Sequence, residues 1–306
     1  GSRGAAPTPP AIASTFSLRA DLVIHLPLDG TLANGGTMGG TAVRTNICGT
    51  AAISTVYSSI TNDAVIGSAA ENFRFGYYEG WKNVVGVLAL PDIQPYFDPS
   101  TVSTDTAMTI SAWVKWRGPV GPQAWSGASI FSTSWSYFWF AKDGTLKYSM
   151  PRATSSMGAS GLDAIPSNMW VHVACRWSKK LPNYAWFFVN GHKTQSNYSG
   201  SGAFVYAPLT TVFGAVNGNA DEGWRSPVNG LLDDVAFWNE DVSDGKIKSL
   251  STVHPLFPTY DTGVMDRLWR LHDSGNVESE IILGKYRWKY TEVLPAGYSA
   301  GDVWIQ

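Results

Sequence analysis

The sequence predicts an all-β protein, a two-sheet antiparallel sandwich or jelly roll. Three observations carry that prediction. Short runs alternating between apolar and polar residues recur along the chain, Gly, Pro, Asn and Asp punctuate them, and helical periodicity is nearly absent, with no strand-helix-strand alternation. No repeat of fixed period occurs, which argues against a propeller or a solenoid.

Taken in chain order, residues 1–20 read as a cleavage scar, Gly1-Ser2, and a Pro- and Ala-rich lead-in without strand or helix period. From Asp21 the pattern changes to strands and turns. "MTISAWVKW" (108–116) sets Ile110, Ala112, Val114 and Trp116 on one face, and Thr109, Ser111, Trp113 and Lys115 on the other. "YFWFAKDGTLKYSM" (137–150) reads as two strands around Asp143-Gly144. "WVHVACRW" (170–177) groups Val171, Val173, Cys175 and Trp177 opposite His172, Ala174 and Arg176. "NYAWFFVNGHKTQ" (183–195) carries Asn190-Gly191, a strong hairpin signal because both central positions of its turn need positive φ. "TTVFGAV" and "GLLDDVAFWN" supply two further strands. The helical exception is "EDVSDGKIKSL", with Ser243 as cap and Ile247 and Leu250 as its apolar side. The sandwich is expected over 21–254. Strands are predicted around 266–271 and 286–294 in the remaining extension, 255–306. About 50 residues scarcely make an independent core, so the extension is expected to pack on the sandwich or to link to a further domain. The ending "DVWIQ" reads as a truncation.

Composition narrows the function. Charged residues are 15 % of the chain, against roughly 25 % in an average domain, and the net charge is −2. No clustered Lys and Arg suggest nucleic acid, and no run approaches the roughly 20 apolar residues of a membrane span. The aromatic load of 14 Trp, 13 Tyr and 13 Phe fills a large core. Trp113 or Trp116, Trp170, Trp177, Trp186 and Trp238 fall within strands or at their edges and read as core. Two cysteines make neither a disulfide scaffold nor a zinc site. Cys175, on an apolar strand face, reads as a buried thiol, and pairing with Cys48 is left open.

Six segments resemble, in order, the laminin G-like jelly rolls of the concanavalin A-like lectin/glucanase superfamily. They are "LVIHLPLDGTLANGG", "DAVIGSAAENFRF", "MTISAWVKW", "NMWVHVACRW", "WFFVNGHKT" and "NGLLDDVAFWNEDVSDGKIKSL". The resemblance implies two curved antiparallel sheets in modules that mostly bind, commonly glycans or extracellular proteins. It also implies a structural calcium near the meeting of the first and last strands, with Asp29, Asp233 and Asp234 as the matching acids. Calcium takes 6 to 8 oxygens in flexible geometry, and Asn34 offers an amide oxygen where relatives often carry an acid. The alternative is that Asp29 makes a turn before Gly30 and one of the aspartates caps a strand end.

Catalysis is not expected. Retaining glucanases of this fold use a Glu-x-Asp-x-x-Glu strand, which sets paired carboxylates on one face about 5 Å apart. The nearest approach here is Asp233, Asp234 and Glu240, and strand alternation splits the first two. The five histidines, His25, His172, His192, His254 and His272, show no zinc spacing. No nucleophile elbow or phosphate loop occurs.

Binding is sought in the loops. Trp81, Trp125, Trp135 and Trp224 sit among Gly, Ser and Asn. A sugar offers an apolar ring face and a rim of hydroxyls, and "NGNADEGWRS" matches both: Trp224 as platform, Asp221 and Glu222 as acceptors, Asn219 as donor and acceptor, Arg225 as forked donor. Trp125 or Trp135 would lie across a cleft. The alternative is a solvated loop whose Trp224 folds back on the sandwich. Asn197-Tyr198-Ser199 is a glycosylation triplet of low specificity. Two functions follow as expectations: a non-catalytic lectin-like adhesion or targeting module that binds a glycan or polysaccharide, or a structural or protein-binding module of a cell, matrix or virion surface. Both place the chain outside cells or on a surface.

Overall fold

The computed structural model describes residues 22–47, 58–66, 68–78, 82–100, 105–118, 128–133, 136–150, 157–197, 203–204, 210–215, 228–252, 278–283 and 286–291. The chain divides into two compact units, residues 16–252 and a second formed by residues 1–15 with 253–306.

The first unit holds β1 (Leu22–Leu26), β2 (Val43–Ile47), β3 (Ser58–Thr61), β4 (Ala70–Phe73), β5 (Phe75–Tyr78), β6 (Lys82–Leu90), β7 (Ala107–Trp116) and β8 (Ala128–Thr133). It continues with β9 (Ser136–Phe140), β10 (Thr145–Met150), β11 (Met157–Ala164), β12 (Trp170–Ser178), β13 (Tyr184–Val189), β14 (His192–Asn197), β15 (Thr211–Phe213), β16 (Gly230–Trp238) and helix α1 (Asp244–Thr252). Two sheets result, as the alternation predicts. The first has the order β14-β13-β12-β7-β16-β4-β3, with β1 also on β16. The second has the order β11-β10-β9-β8-β15-β6-β2, with β5 also on β6. All pairings are antiparallel.

The core lies between the sheets. Ile110, Val114 and Trp116 of β7 and Val173, Cys175 and Trp177 of β12 point into it, with Phe131, Phe138 and Phe140 opposite. Rings meet edge-on, Trp116 and Phe140 at 4.9 Å and Phe97 and Phe237 at 5.7 Å between centroids. Each such ring removes ~150–250 Å² from water, a gross stabilisation of roughly 4–6 kcal/mol. Packing is tight enough to select glycine at position 214: φ is +97° and a Cβ there would lie 2.3 Å from Phe73.

The two turn dipeptides behave differently. Asn190 and Gly191 have φ of 48° and 75°, and Val189 faces His192, a two-residue primed turn. At Asp143-Gly144 only the glycine is left-handed, with φ of 82°. Ala141 N–H donates to Thr145 O at 2.9 Å and Asp143 Oδ1 accepts from Thr145 N–H at 2.9 Å. A three-residue loop needs positive φ at its last position alone.

Helix α1 starts where expected. Ser243 Oγ accepts from Lys246 N–H at 3.3 Å, and Ile247 is fully buried. The helix covers the outer face of the first sheet at one end, where Ile247 and Val242 meet Leu22, Ala174, Trp186, Phe188 and Trp238. Arg176 clamps it: Nη1 lies 2.7 Å from Asp244 and donates to Val242 O at 2.8 Å, while the guanidinium stacks 5.0 Å from the Trp186 centroid. Its Nε is 2.9 Å from Asp241 without hydrogen-bond alignment.

Trp113, Trp116, Trp177, Trp186 and Trp238 are buried, as read from their strands. Trp170 departs from that reading: it is half-buried on the outer face of β12, beside Lys115. Cys175 is a buried free thiol, and burial pushes its pKa well up; Cys48 lies outside the described residues.

In the second unit, β17 (Glu278–Leu283) pairs antiparallel with β18 (Tyr286–Thr291). β18 occupies most of the strand expected at 286–294. β17 was not anticipated, and 266–271 lies outside the described residues.

Candidate functional site

The strand β16 organises the junction at which the acids Asp29, Asp233 and Asp234 meet. One edge pairs with β7; the other is shared, with Gly230–Leu232 on β4 and Val235–Trp238 on β1. Between those two partners the β7 register shifts, from Asp233 to Ala236, and Asp234 takes φ of 45°. This is a bulge. Asp tolerates the left-handed region better than a branched residue, which gives the second aspartate of "LLDDVAF" its local purpose. The bulge also interrupts the strand alternation assumed from sequence at Asp233 and Asp234.

The three predicted acids gather at this junction and face different partners. Asp233 is fully buried; its Oδ2 accepts from Val65 and Ile66 N–H, both at 2.8 Å. Asp29 Oδ1 accepts from Ser68 N–H at 2.6 Å and Ala69 N–H at 3.2 Å. Together they pin residues 65–66 and 68–69 at the outer face of the first sheet. Asp234 Oδ1 lies 2.8 Å from His25 Nε2. Burial, with the neighbouring charges of Asp234 and Asp29, drives the Asp233 carboxyl up to about 8 against two backbone hydrogen bonds that lower it.

A calcium ion fits part of this arrangement. Asp233 Oδ1 is buried with no hydrogen-bond partner, a hard oxygen beside further carboxylate charge. Asn34 is not free to contribute as expected from the sequence. Its Oδ1 accepts from His25 and Gly36 N–H at 2.7 and 2.9 Å, and its Nδ2 donates to Val23 O and Gly39 O. Among the described residues no three His, Cys, Asp or Glu side chains converge as metal ligands.

The pinned loop carries a residue that sequence reasoning passed over. Asp63 Oδ2 pairs with Lys115 Nζ at 2.7 Å, and its Oδ1 accepts from Trp170 Nε1 at 3.0 Å. Partial burial opposes ionisation of Asp63, but Lys115 and Trp170 outweigh it and hold the carboxyl below its usual range. Beside this group His172 packs edge-on to Trp113 at 5.4 Å, its Nδ1 without a partner, and burial lowers its pKa to about 3. No local motif marks Asp63; its position depends on two other carboxylates holding the loop.

The predicted sugar residues Asn219, Asp221, Glu222, Trp224, Arg225, Trp125 and Trp135 lie outside the described residues.

Among solved structures, the chain is similar to domain 4 of AbnA, a GH43 extracellular arabinanase from Geobacillus stearothermophilus, in complex with arabinotriose. The identity is 18 %, covering 76 % of this chain and 98 % of that one, with a TM-score of 0.49. It is also similar to the binding domain of Paraclostridial Mosquitocidal Protein 1, at 13 % identity over 76 % and 52 % of the two chains and a TM-score of 0.50. The binding domain of botulinum neurotoxin DC in complex with SialylT gives 10 % identity over 76 % and 51 %, with a TM-score of 0.49. The chain thus spans about half the length of these two toxin domains. A search of curated proteins found no match. A laminin G-type family model, described as concanavalin A-like lectin/glucanases superfamily, matches residues 92–248, just over half of the chain. With the strand order already described, that match is decisive: the chain belongs to the concanavalin A-like lectin/glucanase superfamily.

Proposed function

We propose that this chain is a non-catalytic glycan-binding module of a larger extracellular or surface protein. The observation that carries the reading is the assignment of its acids. Those closest to a hydrolase pattern all have structural partners: Asp233 accepts from the Val65 and Ile66 amides, Asp234 faces His25, and Glu240 lies 3.8 Å from Lys246. Glu71, buried in β4, is closed by Arg44 through two 2.8 Å hydrogen bonds. The sandwich is a scaffold whose loops bind. Trp224 supplies the ring platform, with Asn219, Asp221, Glu222 and Arg225 around it and Trp125 or Trp135 opposite. Asp29 and Asp233 hold a structural calcium ion that supplies the positive charge this junction lacks, with Asp234 beside it.

Tryptophan fluorescence during titration with polysaccharides, with and without a chelator, tests the reading, backed by a glycan array. Quenching in the wild type that disappears in Trp224→Ala is expected. If Trp224→Ala leaves every array ligand bound as before, the Trp224 site is wrong. Concentration-dependent self-association without any sugar response would assign the chain to the structural class instead.

A further inference from the structure

Cations are sparse in this chain, 22 Lys and Arg in 306 residues, yet several gather at one end of the outer face of the first sheet. Trp170, Lys115, Leu231 and Asn72 stand in one row across β12, β7, β16 and β4. Arg117, just beyond β7, crosses β16 to donate from Nη2 to Asn72 Oδ1 at 2.9 Å. Arg74 follows β4 two residues after Asn72. Both arginines are exposed. The Arg117 guanidinium is lowered below its ordinary pKa, first by partial burial and then by the charge of Arg74, with Asp63 acting weakly the other way. The local carboxylates do not answer this charge: Asp63 is committed to Lys115 and Trp170, and Glu71 to Arg44.

Arg74 lies two residues from Asn72, which Arg117 reaches, so two guanidinium groups share this corner; a bound anion would relieve their mutual repulsion, and guanidinium groups match carboxylate and sulfate oxygens bidentately. Trp170 is half-buried at the end of the same row and is oriented by its hydrogen bond to Asp63, so a flat apolar edge lies beside the cations. We propose that Arg74, Arg117, Lys115 and Trp170 form a binding site for the carboxylate or sulfate groups of an anionic glycan. The site is separate from the Trp224 loop in sequence and rests on the glycan-binding reading, whose ligand class it narrows.

The test uses the full chain and four probes: polygalacturonate and hyaluronan as carboxylated polymers, dextran sulfate as a sulfated one, and neutral dextran. Binding is measured by affinity electrophoresis and calorimetry at low and at physiological salt. The wild type is expected to bind at least one anionic class, more weakly as salt rises, and the two polymer types show whether carboxylate or sulfate is preferred. Arg74→Gln with Arg117→Gln should weaken that binding by about tenfold or more, the scale of losing charge-assisted hydrogen bonds, with the fold retained by circular dichroism. Asp63→Asn, which removes the competing carboxylate, should tighten it several-fold, an opposite sign that a merely structural role for this cluster would not produce. Unchanged affinity in the double variant, or weakening by Asp63→Asn, overturns the site. Retention of neutral glycans alone on an array overturns the site but leaves the glycan-binding reading standing, whereas no glycan bound at all overturns both.

Discussion

Replacing His172 with phenylalanine isolates the energetic effect of a desolvated imidazole. The ring sits edge-on to Trp113 and its Nδ1 has no hydrogen bond to lose, so phenylalanine keeps the planar contact and removes only the titration. Burial depresses the folded-state pKa from 6.5 to about 3. The unfolded chain therefore binds the proton first, and the stability this group contributes above pH 6.5 is lost as pH falls toward 3. At ~1.4 kcal/mol per pH unit, pH 5.0 lies about 1.5 units into that window, a loss of roughly 2 kcal/mol. Urea unfolding of wild type and variant at pH 7.5 and 5.0 reads the effect as a difference of differences, in which any constant repacking cost cancels. The variant should gain about 2 kcal/mol on the wild type between the two pH values. An unchanged difference, or an NMR titration of His172 near its ordinary value, would refute the reasoning.

Asp233 works in the opposite direction, because its folded pKa is raised to about 8. In chelator the stability it contributes is present below about pH 4 and is lost as pH rises toward 8. Asp233→Asn should flatten that decline in chemical denaturation, and added calcium should raise the wild-type melting temperature at pH 8 but not the variant's. Between about pH 4 and 6.5 the His172 and Asp233 slopes oppose each other, so each needs its own variant to be seen. Ser243→Ala removes the α1 cap and should cost about 1 kcal/mol in urea unfolding. Arg176→Met retains the alkyl packing but loses the bond to Val242 O and the stacking on Trp186; since its acidic partners are half-exposed, a cost of about 1.5–3 kcal/mol is expected.

The parts of the fold that could be read in advance are those whose burial pattern is local. β7 and β12 each set one continuous apolar face toward the core, with most of their polar residues on the other, and Ser243 and Asn190-Gly191 announce themselves through backbone chemistry. β11, "MGASGLDA", and β17, "ESEIIL", carry no such pattern; their strand state comes from pairing with β10 and β18. At the junction, the adjacent Asp233 and Asp234 stood out because acids are scarce, and Asp29 through family order. What each one faces did not, since the bulge at Asp234 and the placement of residues 63–66 and 68–69 are set by contacts distant in sequence, such as Val65 to Asp233, 168 residues apart. Asp63 and the half-buried outer position of Trp170 likewise depend on contacts 52 and 107 residues apart.

The shared edge of β16 also has a mechanical consequence. Leu22 faces Trp238 across the ladder, and Leu26 faces Val235. The polypeptide leading into β1 and the polypeptide leaving β16 therefore start from the same end of the same strand pair. Tension that separates them loads one rung at a time, from Leu22 inward to His25 and its contact with Asp234, instead of shearing all rungs together. The sandwich would yield by peeling off its first strand, and the place where that peeling stops is the carboxylate junction at which a bound cation would hold the two strands closed.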